Sequence, residues 1–200
     1  MAEPLEFWFD FSSPYGYLGS RRIKEIASRH GREVRWRPFL LGVLFQTTGQ
    51  KPLLLQPLRG PYAARDMERT ARLYEVPFRL CEPFPFSSVA PARFFYWLDA
   101  RDRRAAVAYA TAVYSRAFVD GRAVSGAEET ADVAAALGHE RAEVLQVLQK
   151  PEIKQRLKEI NEEALRKGVF GSPFFLVDGE PFWGHDRLDQ VERWMATGGW

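Results

Sequence analysis

The sequence predicts an α/β fold in which a small mixed sheet is split by an all-helical block. Three observations predict it. The first 40 residues read as strand–helix–strand, a series of helical patterns follows, and the end reads as strand–hairpin–strand–helix.

Taken in order, LEFWFDF (residues 5–11) is an aromatic-rich run that reads as a buried strand. Ser13 and Pro14 then stand where an N-cap and first helical residue belong. From Tyr15 to Arg29, Leu18, Ile23, Ile26 and Ala27 recur at helical spacing, with Gly31 as C-cap. EVRWRPF (residues 33–39) alternates Val34, Trp36 and Pro38 against Arg35 and Arg37, a second strand that ends at Pro38 or lies at an edge. Residues 40–61 read as irregular, broken by Gly42, Gly49, Pro52, Pro57 and Gly60, and so long a loop points to function. Tyr62–Tyr74 is helical, residues 81–85 form a Pro-rich loop, and helical patterns resume over 90–100, 104–118, 128–137, 141–149 and 151–167. Phe174–Val177 and Glu180–Trp183 flank Asp178-Gly179, a strong hairpin signal. A last helix over 187–196 takes Asp186 as its N-cap. This order fits a thioredoxin-like, four-stranded mixed sheet. Residues 1–40 and 168–200 form the sheet domain and residues 41–167 a helical insertion domain.

Composition excludes several classes. With 46% hydrophobic and 27% charged residues the chain can fill a core, and 14% aromatics suit a dense core or a ring-lined pocket. Net charge is +2 with acids and bases interspersed, which argues against nucleic-acid binding. The single cysteine, Cys81, leaves no internal disulfide, CxxC pair or Cys-rich zinc site, so no metal is expected. Neither a leader-type N-terminus nor an apolar run of about 18 residues is present, so a soluble, cytoplasmic protein with no membrane partner is expected.

In a thioredoxin-like arrangement the start of the first helix meets the loop before the hairpin, which places Ser13 opposite Ser172-Pro173. Pro173 reads either as an ordinary loop-ending proline or as the cis proline this fold carries before its third strand. The second reading opens the main chain of Ser172 to an extended ligand. Ser13 likewise reads as a plain cap or as a cap whose hydroxyl faces a ligand, with Ser12 as a structural neighbour. No sulfur stands at Ser13-Pro14-Tyr15-Gly16, so disulfide exchange is chemically impossible there. A hydroxyl and a helix N-terminus can instead hold an external thiolate, brought by a small thiol such as glutathione. Asp186 reads as a cap, as a partner for a peptide ammonium, or as both.

FDFSSPYGYL (residues 9–18), RPFLLG (37–42) with TGQKP (48–52), VFGSPFF (169–175) and FWGHDRL (182–188) together resemble the 2-hydroxychromene-2-carboxylate isomerases. These group with the kappa-class glutathione transferases in the DsbA-like thioredoxin superfamily. The likeness runs from about residue 5 to residue 196. It implies a DsbA/kappa-type fold, a homodimer, and glutathione as cofactor, with Ser13 as the catalytic residue against its sulfur. Glutathione binding would fall to Ser13, Pro14, Tyr15, Gln50, Ser172, Pro173, His185 and Asp186. Gln50 stands where the family has Asn in a G-N-K-P segment, and His185 departs from the family's Ser or Asn.

The implied reaction interconverts 2-hydroxychromene-2-carboxylate and trans-o-hydroxybenzylidenepyruvate in aromatic catabolism. For such an aromatic carboxylate, Trp8, Tyr15, Phe39 and Phe45 are candidate ring partners, and Arg35, Arg37 and Lys51 candidate bases. Each arginine also reads as part of a solvated strand face. Two rivals remain: a kappa-like transferase conjugating electrophiles, and a non-catalytic thioredoxin-fold module that binds thiols or peptides.

Overall fold

The computed structural model describes residues 3–200; residues 1 and 2, where the first predicted domain begins, lie outside the described residues. Its sheet has the order β2-β1-β3-β4, with β1 at Leu5–Phe9, β2 at Val34–Pro38, β3 at Phe174–Val177 and β4 at Glu180–Trp183. β1 runs parallel to β2 and antiparallel to β3, and β3 pairs antiparallel with β4. The sheet is therefore mixed, and Pro38 closes edge strand β2, where a missing N–H costs little. Helix α1 (Pro14–Arg29) joins β1 to β2, and α9 (Leu188–Thr197) follows β4 and packs on α1.

Alternation along β1 explains the core. Phe7 and Phe9 point to one face, where Phe7 stacks on Phe175 at 5.5 Å and Phe9 meets Tyr114 at 5.5 Å. Trp8 points to the other, packed at 6.4 Å from Phe39 and covered by the Arg37 guanidinium at 4.6 Å from its ring. Full burial of such rings contributes on the order of 1.5–3 kcal/mol each, so this strand anchors the sheet.

Between β2 and β3 lie α2 (Leu41–Thr48), α3 (Arg59–Leu73), α4 (Val89–Asp99), α5 (Arg103–Phe118), α6 (Ala127–Ala135), α7 (Arg141–Gln149) and α8 (Pro151–Arg166). The expected loop over 40–61 is corrected: it holds α2 and a short 3-10 turn at Leu53–Leu55, and α3 begins at Arg59 rather than Tyr62. The physical reason is non-local. Leu40 caps α2 with no side-chain bond of its own. The orphan N–H groups are instead taken by Asn161 Oδ1 from α8, at 2.8 Å from Leu40 N, and Asp10 Oδ2, at 2.7 Å from Leu41 N. Pro61 sits in the first turn of α3, where proline is tolerated.

The last helix also starts later than expected. A 3-10 turn, His185–Arg187, precedes α9, whose N-cap is Arg187, so Asp186 does not cap it. Gly184, at φ 112°, turns the chain there. The Asp186 carboxylate folds back so closely over Gly184 that a Cβ at that position would lie 2.3 Å from its oxygen.

Candidate active site

The cavity opens beyond the C-terminal ends of β1 and β2, with a volume of about 890 Å3. The turn 10–15, α2 and the loop after it, the N-terminus of α3, the loop 84–89 and the segments 171–173 and 183–187 line it.

Ser13 is the N-cap of α1 and Pro14 its first residue. The Ser13 hydroxyl accepts the Gly16 N–H at 3.0 Å and donates to the Ser172 carbonyl at 3.0 Å. The Ser172-Pro173 peptide is cis. The Ser172 hydroxyl in turn accepts the Asp10 N–H at 3.0 Å, so the ends of β1 and of the loop before β3 are stitched twice, 162 and 159 residues apart in sequence. Gly16 is required here: a Cβ would lie 2.6 Å from the Tyr114 hydroxyl and 2.9 Å from Ser172 Oγ.

Tyr15, in the first turn of α1, and His185, just past the Gly184 N–H that bonds the Pro173 carbonyl, also line the cavity. Their rings stack at 4.9 Å and 10°. The Tyr15 hydroxyl donates to Asp66 Oδ2 at 2.7 Å, and burial together with that carboxylate pushes its pKa far up. Burial lowers the pKa of His185, with Arg22 adding to the effect and Asp186 and Asp66 opposing it. The ring therefore favours its neutral form, with Nδ1 at 3.4 Å from the Tyr74 hydroxyl.

Of the residues singled out in the sequence, Ser13, Pro14, Tyr15, Phe45, Gln50, Lys51, Ser172, Pro173, His185 and Asp186 all line the cavity. Trp8, Phe39, Arg35 and Arg37 do not, and as substrate contacts they are corrected. Trp8 and Phe39 have no exposed surface, and Arg37 is 4% exposed and paired with Glu163 of α8. The register pairs Trp8 with Arg37, so both lie beneath α8 on a face of the sheet, whereas the cavity lies past the strand ends. Cys81 is buried away from the cavity, its thiol pushed up to about 11 by burial.

Sequence reasoning passed over Asp10, Arg59 and Ser88, which also line the cavity. Asp10 carries a visible signal, a lone acid between two phenylalanines at a strand end. It is 2% exposed, and burial raises its pKa against the donors that surround it. Arg59 is an exposed base at the start of α3, placed at the mouth by the folding of residues 41–58. Among the described residues no group of three His, Cys, Asp or Glu side chains could hold a metal, and no helix is long and apolar enough to cross a membrane.

A thioredoxin-like sheet whose first helix starts at a serine, opposite a cis proline and without a cysteine, defines a class: thioredoxin-fold proteins that lack redox thiols of their own. The chain belongs to the DSBA-like thioredoxin domain family, matching its sequence model over residues 4–196. It is 29% identical to a 2-hydroxychromene-2-carboxylate isomerase of Sphingobium xenophagum, over 98% of this chain and 99% of that protein. It is 26% identical to glutathione S-transferase kappa 1 of Homo sapiens, over 96% of this chain and 92% of that protein. A solved structure of 2-hydroxychromene-2-carboxylate isomerase shares 27% identity with it at a TM-score of 0.85, over 96% of this chain and 94% of that chain.

Proposed function

We propose that the chain is a glutathione-dependent isomerase that interconverts 2-hydroxychromene-2-carboxylate and trans-o-hydroxybenzylidenepyruvate. The observation that carries this reading is the Ser13 hydroxyl, which sits at the N-terminus of α1 and 3.0 Å from the Ser172 carbonyl in a cavity of about 890 Å3. That donor set fits a small thiol peptide. A helix start and a hydroxyl favour a thiolate, the main chain of Ser172 beside a cis proline suits an extended backbone, and Asp66 and Asp186 suit an ammonium. We also propose the two-part division, residues 1–40 and 168–200 as the thioredoxin-like unit and 41–167 as a helical insertion, both of which contribute residues to the cavity.

When bound, glutathione supplies a nucleophile that adds reversibly to a conjugated alkene and so allows rotation about it. The residues do the rest. Ser13 releases the Ser172 carbonyl and turns its O–H toward the sulfur. Ser172 and Pro173 fix the ligand backbone. Lys51 and Arg59, both exposed at the mouth, attract the substrate carboxylate, while Phe45, Phe86 and Trp183 cover its ring.

Similarity to the kappa enzymes favours a second reading, a transferase that conjugates electrophiles at the same site. Assays of both substrate classes with glutathione separate the two. For the Ser13→Ala protein the expected loss in kcat is on the order of 100- to 1,000-fold, the usual effect of removing one preorganised donor. A fully active Ser13→Ala protein sinks the role given to Ser13. Tight glutathione binding without turnover of either class favours a binding module.

A further inference from the structure

Thiolate binding leaves one proton to place, and Ser13 cannot take it. Its own proton is donated to the Ser172 carbonyl, its oxygen already accepts the Gly16 N–H, and a carbonyl is no base. One residue earlier the situation differs. Ser12 also lines the cavity, and its hydroxyl donates to Asp10 Oδ1 at 2.9 Å. That carboxyl is 2% exposed. It accepts the Ser12 N–H at 2.8 Å from its own turn and the Leu41 N–H at 2.7 Å from α2, and faces Ser88 just before α4; Tyr114 of α5 meets only its main-chain carbonyl, at 3.0 Å. Among the described residues no lysine or arginine forms an ion pair with it. A buried acid with no cationic partner is poised to gain a proton, the more so when a second negative charge arrives beside it. Two like charges in one low-dielectric site come to share a proton.

We infer that Ser12 and Asp10 form a relay that takes up the thiol proton as the thiol binds, an inference that rests on the glutathione reading proposed above. The Ser12 oxygen accepts the proton as the S–H bond breaks, and its original O–H bond breaks as Asp10 Oδ1 gains that proton. Ser12 then accepts from the Asp10 carboxylic acid and points its new O–H at the sulfur, adding a second hydroxyl donor to that of Ser13. One proton moves, no redox change occurs, and release of the thiol reverses the step. Ser12 is thus more than a neighbour of the cap, and Asp10 acts through it.

The test is calorimetry of glutathione binding at neutral pH in buffers of different ionisation enthalpy, which counts protons given to solvent, together with the ultraviolet absorbance of bound thiolate. A free thiol of pKa about 8.5 must lose about one proton to bind as thiolate. The wild-type protein is expected to show the thiolate band and release almost no proton. Asp10→Asn and Ser12→Ala are each expected to release about one per glutathione. A wild-type complex that shows the band and releases about one proton overturns the relay while leaving the glutathione site standing. Absence of the band overturns both readings. Should Asp10→Asn fail to fold, the wild-type count and Ser12→Ala still decide, and a Ser12→Ala complex that shows the band and releases none removes Ser12 from the relay.

Discussion

Of the helix starts that border the cavity, those of α1 and α2 are capped in opposite ways. At α1 the cap is Ser13 itself, adjacent in sequence to the helix it starts and bonded at 3.0 Å to Gly16 N–H. At α2 the N-cap is Leu40, whose side chain caps nothing, and acceptors from residues 31 and 121 positions away complete the turn. The two helices differ in packing as well. α1 buries eight of its residues, whereas α2 buries only Leu44 and presents much of its remaining surface to the cavity. The proposed chemistry thus sits on an element whose cap is local in sequence, and part of the cavity shape on one whose first turn depends on remote acceptors. Elements with few buried contacts open at low free energy, which suits a wall that must admit a substrate.

Substitutions at the two caps should break differently. Loss of the Ser13 hydroxyl is expected to reduce turnover by the 100- to 1,000-fold given above. Its stability cost should be only that of a lost cap, about 1 kcal/mol, measured by denaturant unfolding. Asn161→Ala should do the reverse. It leaves Leu40 N–H without its acceptor, at a cost of about 1–3 kcal/mol, and loosens α2, so KM for the substrate is expected to rise more than kcat falls. Equal effects of the two substitutions on kcat would erase the distinction between them. Smaller again are Lys51→Ala and Arg59→Ala, both exposed. Stability should stay within about 0.5 kcal/mol, while KM for an anionic substrate rises and becomes less sensitive to salt. An unchanged KM would place the carboxylate elsewhere.

The same contrast marks what could be read from the sequence. The four strands, α1, and the helices from α4 to α8 announce themselves through alternation, helical spacing and local caps, and strands β3 and β4 match their expected limits. Ser13, Ser172 and Pro173 were legible because the fold brings two local signals to one edge. What escaped depended on distant partners. α2 needs Asn161 and Asp10, and Asp186 loses its capping role to a 3-10 turn after Gly184. Arg35 and Arg37 looked like candidate ligands because strand alternation gives a face but not what covers it; α8 reaches Arg37 through Glu163, and neither arginine lines the cavity. Arg59 became a cavity residue only once residues 41–58 had folded.

The smallest expected effect concerns His185, on the same cavity rim as α2 but held by rings. Burial keeps its pKa below the ordinary 6.5, so the unfolded chain binds the proton more tightly than the folded one. Stability should therefore be unaffected by this group above about pH 6.5 and should be lost progressively as pH falls below that value toward the folded pKa. The Tyr74 hydroxyl at 3.4 Å suits a neutral Nδ1 as acceptor, while Asp66 and Asp186 soften the loss and Arg22 sharpens it. A His185→Gln protein keeps a polar side chain without a titration, so its melting temperature should fall less steeply with acid than that of the wild type. If the two profiles run parallel between pH 6.5 and the folded pKa, His185 is not held neutral, and the stacked pair of Tyr15 and His185 does not exclude charge in the way its burial implies.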